Sequence, residues 1–453
     1  MADEWQNPVD EYTARLDAAR RAEAELDAAL NEVRRYAPGF LQDISLPLLE
    51  GLPPDDRTAA VSFCLTEVGC VGFVLTRGGP EPGLQAVDVP HFTTGDLDAL
   101  LFRPGPDAGQ PDGWVGAARR IGTDRPAWFA VFDRVLAELG KRLIRPVLRA
   151  VPDRVRRLIL LPTGGLYLLP LHAVPLDAET RVCDRFVVSY GPSAGVLSLL
   201  REKVRPAASA TLYAAAVGDS PRFRDLQVDL RPLPCAEYEA RVVTRLFPGA
   251  TFDVAPAARV EAACARAARR AYIHFACHGV YEADAPQESG LELADGRLRL
   301  VDLLEGRCDL SAARLVTLSA CEAGVTDVSR GNAEEYVGLP AGFLVAGVPC
   351  VVSSLWAVDD LAGTMLMERF YRNHLKGGMD IVDALHEAQG WLRSLPATSL
   401  VEHAERAYGN AGPAGRAELL RALRYYRALA EQDPNARPLA HPHFWAVFTV
   451  NGW

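Results

Sequence analysis

Lysine is nearly missing from this 453-residue chain. Only Lys141, Lys203 and Lys376 are lysines among its 48 basic residues. Arginine in place of lysine, with abundant alanine, reflects coding composition and carries no functional message. A basic excess is missing too: 58 acids against 48 bases leave a net charge of -10, which excludes a protein that neutralises a nucleic-acid backbone. The nine cysteines include no CxxC pair and sit at irregular spacing. Their odd number and scatter argue against a disulfide framework and against a zinc ribbon. There is no GxxxxGK[ST] and no GxGxxG, so equipment for nucleotide hydrolysis is not visible. No repeat of 20 to 50 residues stands out, which argues against a solenoid. The start MADEWQNPVDEY is polar and acidic, unlike a signal or transit peptide, and places the chain in the cytoplasm.

Two uncharged stretches invite a membrane reading, and both are interrupted. In RLILLPTGGLYLLPLHAVPL at 157–176, Pro162, Pro170, Pro175 and the Gly164–Gly165 turn defeat a spanning helix. Two buried strands around a tight turn fit better. In YVGLPAGFLVAGVPCVVSSLWAV at 336–358, Pro340 suits a helix's first turn and Gly347 its end. A buried helix leading into a central strand explains that run, and no membrane insertion is expected.

What is present is the composition of a globular protein, 49% hydrophobic and 23% charged, with length for two or three domains. Residues 9–36 carry apolar positions at helical spacing, so a helical segment is expected within 1–50. A small α/β extension follows over 55–150. It has strand-like runs at 59–76 and 84–92, a helix at 95–102 with Asp96 near its start, and another over roughly 125–149. Beyond 155, strands alternate with helices: 211–218, a helix near 236–246, 272–276, 314–320 and 350–356. That alternation predicts an α/β fold with a mostly parallel sheet flanked by helices. Asp295–Gly296 in ELADGRL marks a small hairpin. A helical insertion is expected near 400–440.

Two strand ends carry the chemistry. AYIHFACHGVYE ends an apolar strand at Cys277, His278 and Gly279, and ARLVTLSACEAGV ends another at Ser319, Ala320 and Cys321. Ligands of open α/β sheets bind beyond the carboxyl ends of strands, so neighbouring strands would bring His278 and Cys321 to one edge. A thiol beside an imidazole is the minimum apparatus for nucleophilic acyl transfer. The N–H groups of Gly279 and Cys321 would form an oxyanion hole. Free cysteines and neutral histidines also sit in cores routinely, so spacing alone leaves both readings open. His274 reads as core or support, and Cys277 as buried on the opposite side. His441 and His443 lack the compact spacing of a metal site.

The stretches HFACHG (274–279), LVTLSACEAG (315–324), EEYVGLPAGFLVAGVPCVVSSLWAVDD (334–360) and HPHFWAVFTVNG (441–452) resemble, in order, the motifs of the CHAT family. These are caspase-like cysteine peptidases of clan CD, related to separase. The resemblance extends upstream through LLPTGGLYLLPLHAV, YGPSAGVL and LPCAEYEARVV and covers roughly 155–453. It implies a caspase-like peptidase domain with a degenerate half at 155–250 and an active half at 251–453. It makes His278 the general acid/base, Cys321 the nucleophile and Gly279 an oxyanion donor, with no metal or cofactor in catalysis. Glu335 would order the active-site loop. LWAVDD (355–360) resembles the loop beside the S1 pocket of separase-like peptidases, which makes Asp360, Asp359 and Trp356 candidates for substrate binding. Helix capping is the competing role for Asp359, and Trp356 is expected to be both core and pocket wall.

The activity so implied is a cysteine endopeptidase acting on a protein substrate under control of an activating protein or ligand. The family suggests stress or anti-phage defence, for example release of a gasdermin-like pore former. A silent scaffold that binds partners and a peptide ligase on the same dyad are the alternatives. The polar loop 323–334 is expected to move, and its Arg330 to be cut if P1 is basic. Without a 34-residue repeat, the sensor arrays found in many family members are not expected within this sequence.

Overall fold

The computed structural model describes residues 52–77, 83–103, 113–201, 210–220, 223, 232–280, 282, 285–321, 338–357, 359–411 and 413–453. The segment 9–36, the loop 323–334 with Arg330, and Glu335 lie outside these residues.

The chain opens with an antiparallel meander of β1 (Thr58–Thr66), β2 (Gly69–Thr76) and β3 (Gly83–Val89). Thr93 and Asp96 close a reciprocal capping box at the start of α1 (Thr94–Phe102). Helix α2 (Trp114–Arg119) then leads to α3 (Arg125–Leu139), whose cap is the Asp124 side chain. Two parallel strands follow, β4 (Arg157–Leu161) and β5 (Val187–Tyr190), with β4 also parallel to β1. The run expected to hold two strands around a turn holds only β4. Residues Gly164–Leu168 and Leu171–Ala173 are 3-10 turns instead. Leucines bracketed by Gly164, Gly165 and Pro170 have no β-branched neighbours to favour a second strand.

After α4 (Ala194–Arg201) come β6 (Leu212–Ala216), α5 (Ala236–Thr244), β7 (Thr251–Val254) and α6 (Val260–Ala267). Strand β8 (Tyr272–Val280) takes β6 as a parallel neighbour, and β6 also pairs with β7. A hairpin, β9 (Gly290–Glu292) and β10 (Arg297–Arg299), forms as expected, but its turn is centred on Ala294–Asp295, one residue before the expected Asp295–Gly296, with the Leu293 N–H donating to the Gly296 carbonyl. Helix α7 (Leu300–Leu304) precedes β11 (Leu315–Cys321). Then come α8 (Leu339–Val345), with Pro340 in its first turn, and β12 (Cys350–Ser354). Gly347, between them, has φ 97°, a left-handed turn that favours glycine. Helices α9 (Asp360–Leu375), α10 (Ile381–Ser394), α11 (Ala397–Asn410) and α12 (Pro413–Gln432) lead to the last strand, β13 (Phe448–Gly452).

The spatial order is β10-β9-β8-β11-β12-β13-β5-β4-β1-β2-β3, with β6 and β7 beside β8. Parallel pairings outnumber antiparallel ones, so the fold is the expected α/β sheet flanked by helices. Strands β1 to β3 extend the same sheet, and one core cluster runs from Ala59 to Val450. The opposite face of the second half is a separate cluster that includes Phe275, Cys277, Leu318 and Phe343. A disulfide, Cys264–Cys308, crosses that cluster with its Cα atoms 4.7 Å apart. Packing of α6 against the segment ahead of β11 brings the pair together across 44 residues, a contact that sequence spacing does not reveal. Among the described residues, no helix is long and apolar enough to cross a membrane.

Trp128 joins the N-terminal helices to the C-terminal motif. It is fully buried, meets Trp114, Phe132 and Trp356 edge-on or nearly so, and donates its Nε1–H to His443 Nδ1 at 3.2 Å. Burial pushes the His443 imidazole down to about 3, so it stays neutral and can accept that bond. Trp128→Ala is expected to cost about 3–5 kcal/mol through the cavity it leaves, measured by urea denaturation.

Candidate active site

Strands β8 and β11 are parallel neighbours, and their ladder ends on the register pair Cys321↔His278. Every residue of β8 is buried, as a central strand between two partners requires. The expected end of this strand before Cys277 is corrected: β8 runs on to Val280 because the β9 hairpin pairs with residues 278–280. His278 is buried, with the Phe223 ring edge-on at 5.4 Å. Cys277 is buried in the opposite face's cluster, as alternation requires.

Backbone parity fixes where the Gly279 and Cys321 amides point. The Val217 N–H donates to the Ala276 carbonyl at 2.9 Å, and the Leu315 N–H to the Ala271 carbonyl at 3.2 Å. Because N–H directions alternate along a strand, Gly279 directs its N–H toward β11 and Cys321 directs its own toward β8. Both amides therefore face the seam between the strands at its last register pair.

Two residues back along each strand, Ala276 and Ser319 wall a small cavity of ≈ 30 Å³. Cys235, Glu239, Asp360 and Gly363 complete the wall. Asp360 is the first residue of α9, and Asp359 before it is the N-cap, accepting the Ala362 N–H at 3.3 Å. Arg125 lies 4.0 Å from the Asp359 carboxylate. Burial, then the nearby charges of Asp359, Glu239 and Glu418, push the Asp360 carboxyl up to about 8. Trp356, expected as both core and pocket wall, is packed among Trp114, Trp128 and Phe132 with its Nε1–H on the His443 carbonyl, and does not line this cavity. Its ring is turned into the aromatic core because that cluster can bury it and satisfy its indole N–H.

Glu239 escaped the sequence reading. It is buried, holds His274 Nε2 at 3.0 Å and accepts the Thr364 hydroxyl at 3.2 Å. His274 Nδ1 in turn lies 3.3 Å from the Tyr371 hydroxyl, which bonds Thr317 at 2.7 Å. His274 thus has the supporting place expected of it, on the same face of β8 as His278. Only the fold brings Glu239 there, since it comes from α5. His274→Leu strands a buried carboxylate and is expected to cost about 3 kcal/mol or more in urea denaturation. Among the described residues, no group of three His, Cys, Asp or Glu could hold a metal ion.

Comparison with known proteins adds the family. Residues 133–452 match the CHAT domain. Tetratricopeptide repeat protein 28 of Homo sapiens is 27% identical over 319 residues, and that of Mus musculus 26% over 303. These cover 61% and 56% of this chain but only 12% of each relative. Among solved structures, the Saccharomyces cerevisiae separase–securin complex aligns with TM-score 0.48 and 9% identity, over 76% of this chain and 29% of that one. The Arg-specific cysteine proteinase gingipain R aligns with TM-score 0.37 and 8% identity, over 74% and 69%. The family match spans about seven-tenths of the sequence, and on that ground the chain belongs to the CHAT domain family.

Proposed function

We propose that this chain is a cysteine endopeptidase whose nucleophile is Cys321 and whose general acid/base is His278. The observation that carries the reading is the Cys321↔His278 register pair at the carboxyl ends of adjacent parallel strands. The Cys321 thiolate adds to the scissile carbonyl and forms a tetrahedral oxyanion. Collapse expels the amine, which takes its proton from the His278 imidazolium, and leaves a thioester. Water then gives a proton to the neutral imidazole as its oxygen attacks the thioester. The acid departs and the proton returns to the thiol–imidazole pair.

Asp360 and Glu239 give the cavity beside the dyad two carboxylates, and no cation among its wall residues offsets them. A basic P1 side chain is the complement, an arginine able to bind bidentately. The substrate is a protein, cut under control of an activating protein or ligand, in a stress or defence setting.

The test is cleavage of a peptide library by purified chain, beside the Cys321→Ala and His278→Ala variants, with product masses read out. Cuts lost in both variants support the reading. Products joined rather than cut identify a ligase, and cleavage that survives Cys321→Ala overturns the assignment.

A further inference from the structure

The registers of four adjacent strands align on one row. Arg297 of β10 pairs with Glu292 of β9, Glu292 with His278 of β8, and His278 with Cys321 of β11. In-register residues on neighbouring strands share a face of the sheet, with Cβ atoms about 4.5–5.5 Å apart. Parity makes His278 and Glu292 a pair that exchanges backbone hydrogen bonds, because even-numbered residues of β8 direct their amides away from β11. An imidazole therefore has a thiol-bearing residue on one side and a carboxylate-bearing residue on the other.

Glu292 is an unusual residue for that place, being wholly buried. A buried carboxylate stays ionised only with a partner, and Arg297 supplies one, its Nε 2.5 Å from Glu292 Oε1. Arg297 is itself fixed by the Glu282 carboxylate at 2.7 Å and the Glu288 carbonyl at 3.0 Å. When the thiol has given its proton to the imidazole, the row reads cation, anion, cation, anion. Each charge then has an opposite neighbour. Among the described residues, the Phe223 ring lies edge-on to His278, and two residues down the same face Asp360 and Glu239 lie around Ala276 and Ser319. His274, four residues down, is engaged with Glu239.

We infer that Glu292 is a positioning residue for His278: anchored by Arg297 on the adjacent strand, its negative charge favours the imidazolium and so the Cys321 thiolate. The inference rests on the proposed Cys–His dyad. The proton moves from the Cys321 thiol to the His278 ring, and none passes to Glu292.

The experiment is alkylation of Cys321 by iodoacetamide across pH, with the modified peptide followed by mass. It needs no substrate. Wild type is expected to show a midpoint below the ordinary thiol value of about 8.5. Glu292→Gln should raise that midpoint by about one pH unit, which is about tenfold slower alkylation on the acid limb. Glu292→Asp keeps the charge but withdraws it by a methylene. It should give a smaller shift of the same sign, and it serves alone if the glutamine variant does not fold. In a His278→Ala background neither change should move the midpoint further. Unmoved midpoints in folded Glu292 variants overturn the inference while the dyad stands, and so does a shift that persists without His278. Coincident midpoints in wild type and His278→Ala overturn the dyad, and the role of Glu292 with it.

Discussion

Cys321→Ala will lower cleavage of protein and peptide substrates by at least about 10³-fold, because covalent catalysis has no other route once the thiol is gone. His278→Ala should fall by a similar factor, and the double variant no further, since the two groups act as one unit. The geometry makes the prediction sharp. A thiol on an isolated strand end is an ordinary buried cysteine, like Cys277, whose side chain is enclosed by the opposite face's core. What separates Cys321 from it is the register with His278 on a parallel neighbour. The measurement is initial rate by product mass, with thermal melts showing that the variants fold. Independent effects that multiply in the double variant would mean that the residues do not share a proton.

That register was only half legible in the sequence. The two apolar runs ending in His278 and Cys321 identified strands, and the 42 residues between them allowed a parallel crossover. Which strands are neighbours is a non-local fact, however, and the family motifs supplied it where periodicity did not. The helix–strand unit around Pro340 and Gly347 was readable because proline and glycine punctuate it by their own backbone preferences. The 3-10 turns at 164–173 were not, since a leucine-rich run looks the same in a buried strand and in buried turns. The continuation of β8 to Val280 depends on the β9 hairpin, and the place of Glu239 depends on α5. Glu292 shows how near the reading came. The Asp295–Gly296 turn implied a hairpin, but its register, which pairs Arg297 with Glu292, and the next step of the row, to His278, needed the sheet.

Asp360→Asn is expected to lower kcat/KM for substrates with P1 arginine or lysine by about 10²–10³-fold, the usual loss when one partner of a desolvated charge pair is removed. Substrates with apolar P1 should change little. Its pH signature is stronger still. In the free protein the carboxyl is pushed up to about 8, mainly by burial and then by the charges of Asp359, Glu239 and Glu418. A basic P1 group wants the ionised form, so the ratio of arginine to leucine cleavage should rise with pH through about 8 in wild type. Taking the ratio cancels the dyad's own titration. In the asparagine variant the ratio should be flat. Stability moves the other way. The folded carboxyl binds its proton more tightly than the unfolded one at 3.8, so folding takes up a proton between those values. Stability from this group is present below 3.8 and lost as pH rises toward 8. Thermal melts of wild type should fall over that window relative to Asp360→Asn, which has no proton to lose. Glu239→Gln should ease the same crowding while weakening the hold on His274, so its selectivity loss should be smaller than that of Asp360→Asn. If arginine and leucine substrates lose equally in Asp360→Asn, the carboxylate only begins α9 and the pocket's selectivity lies elsewhere.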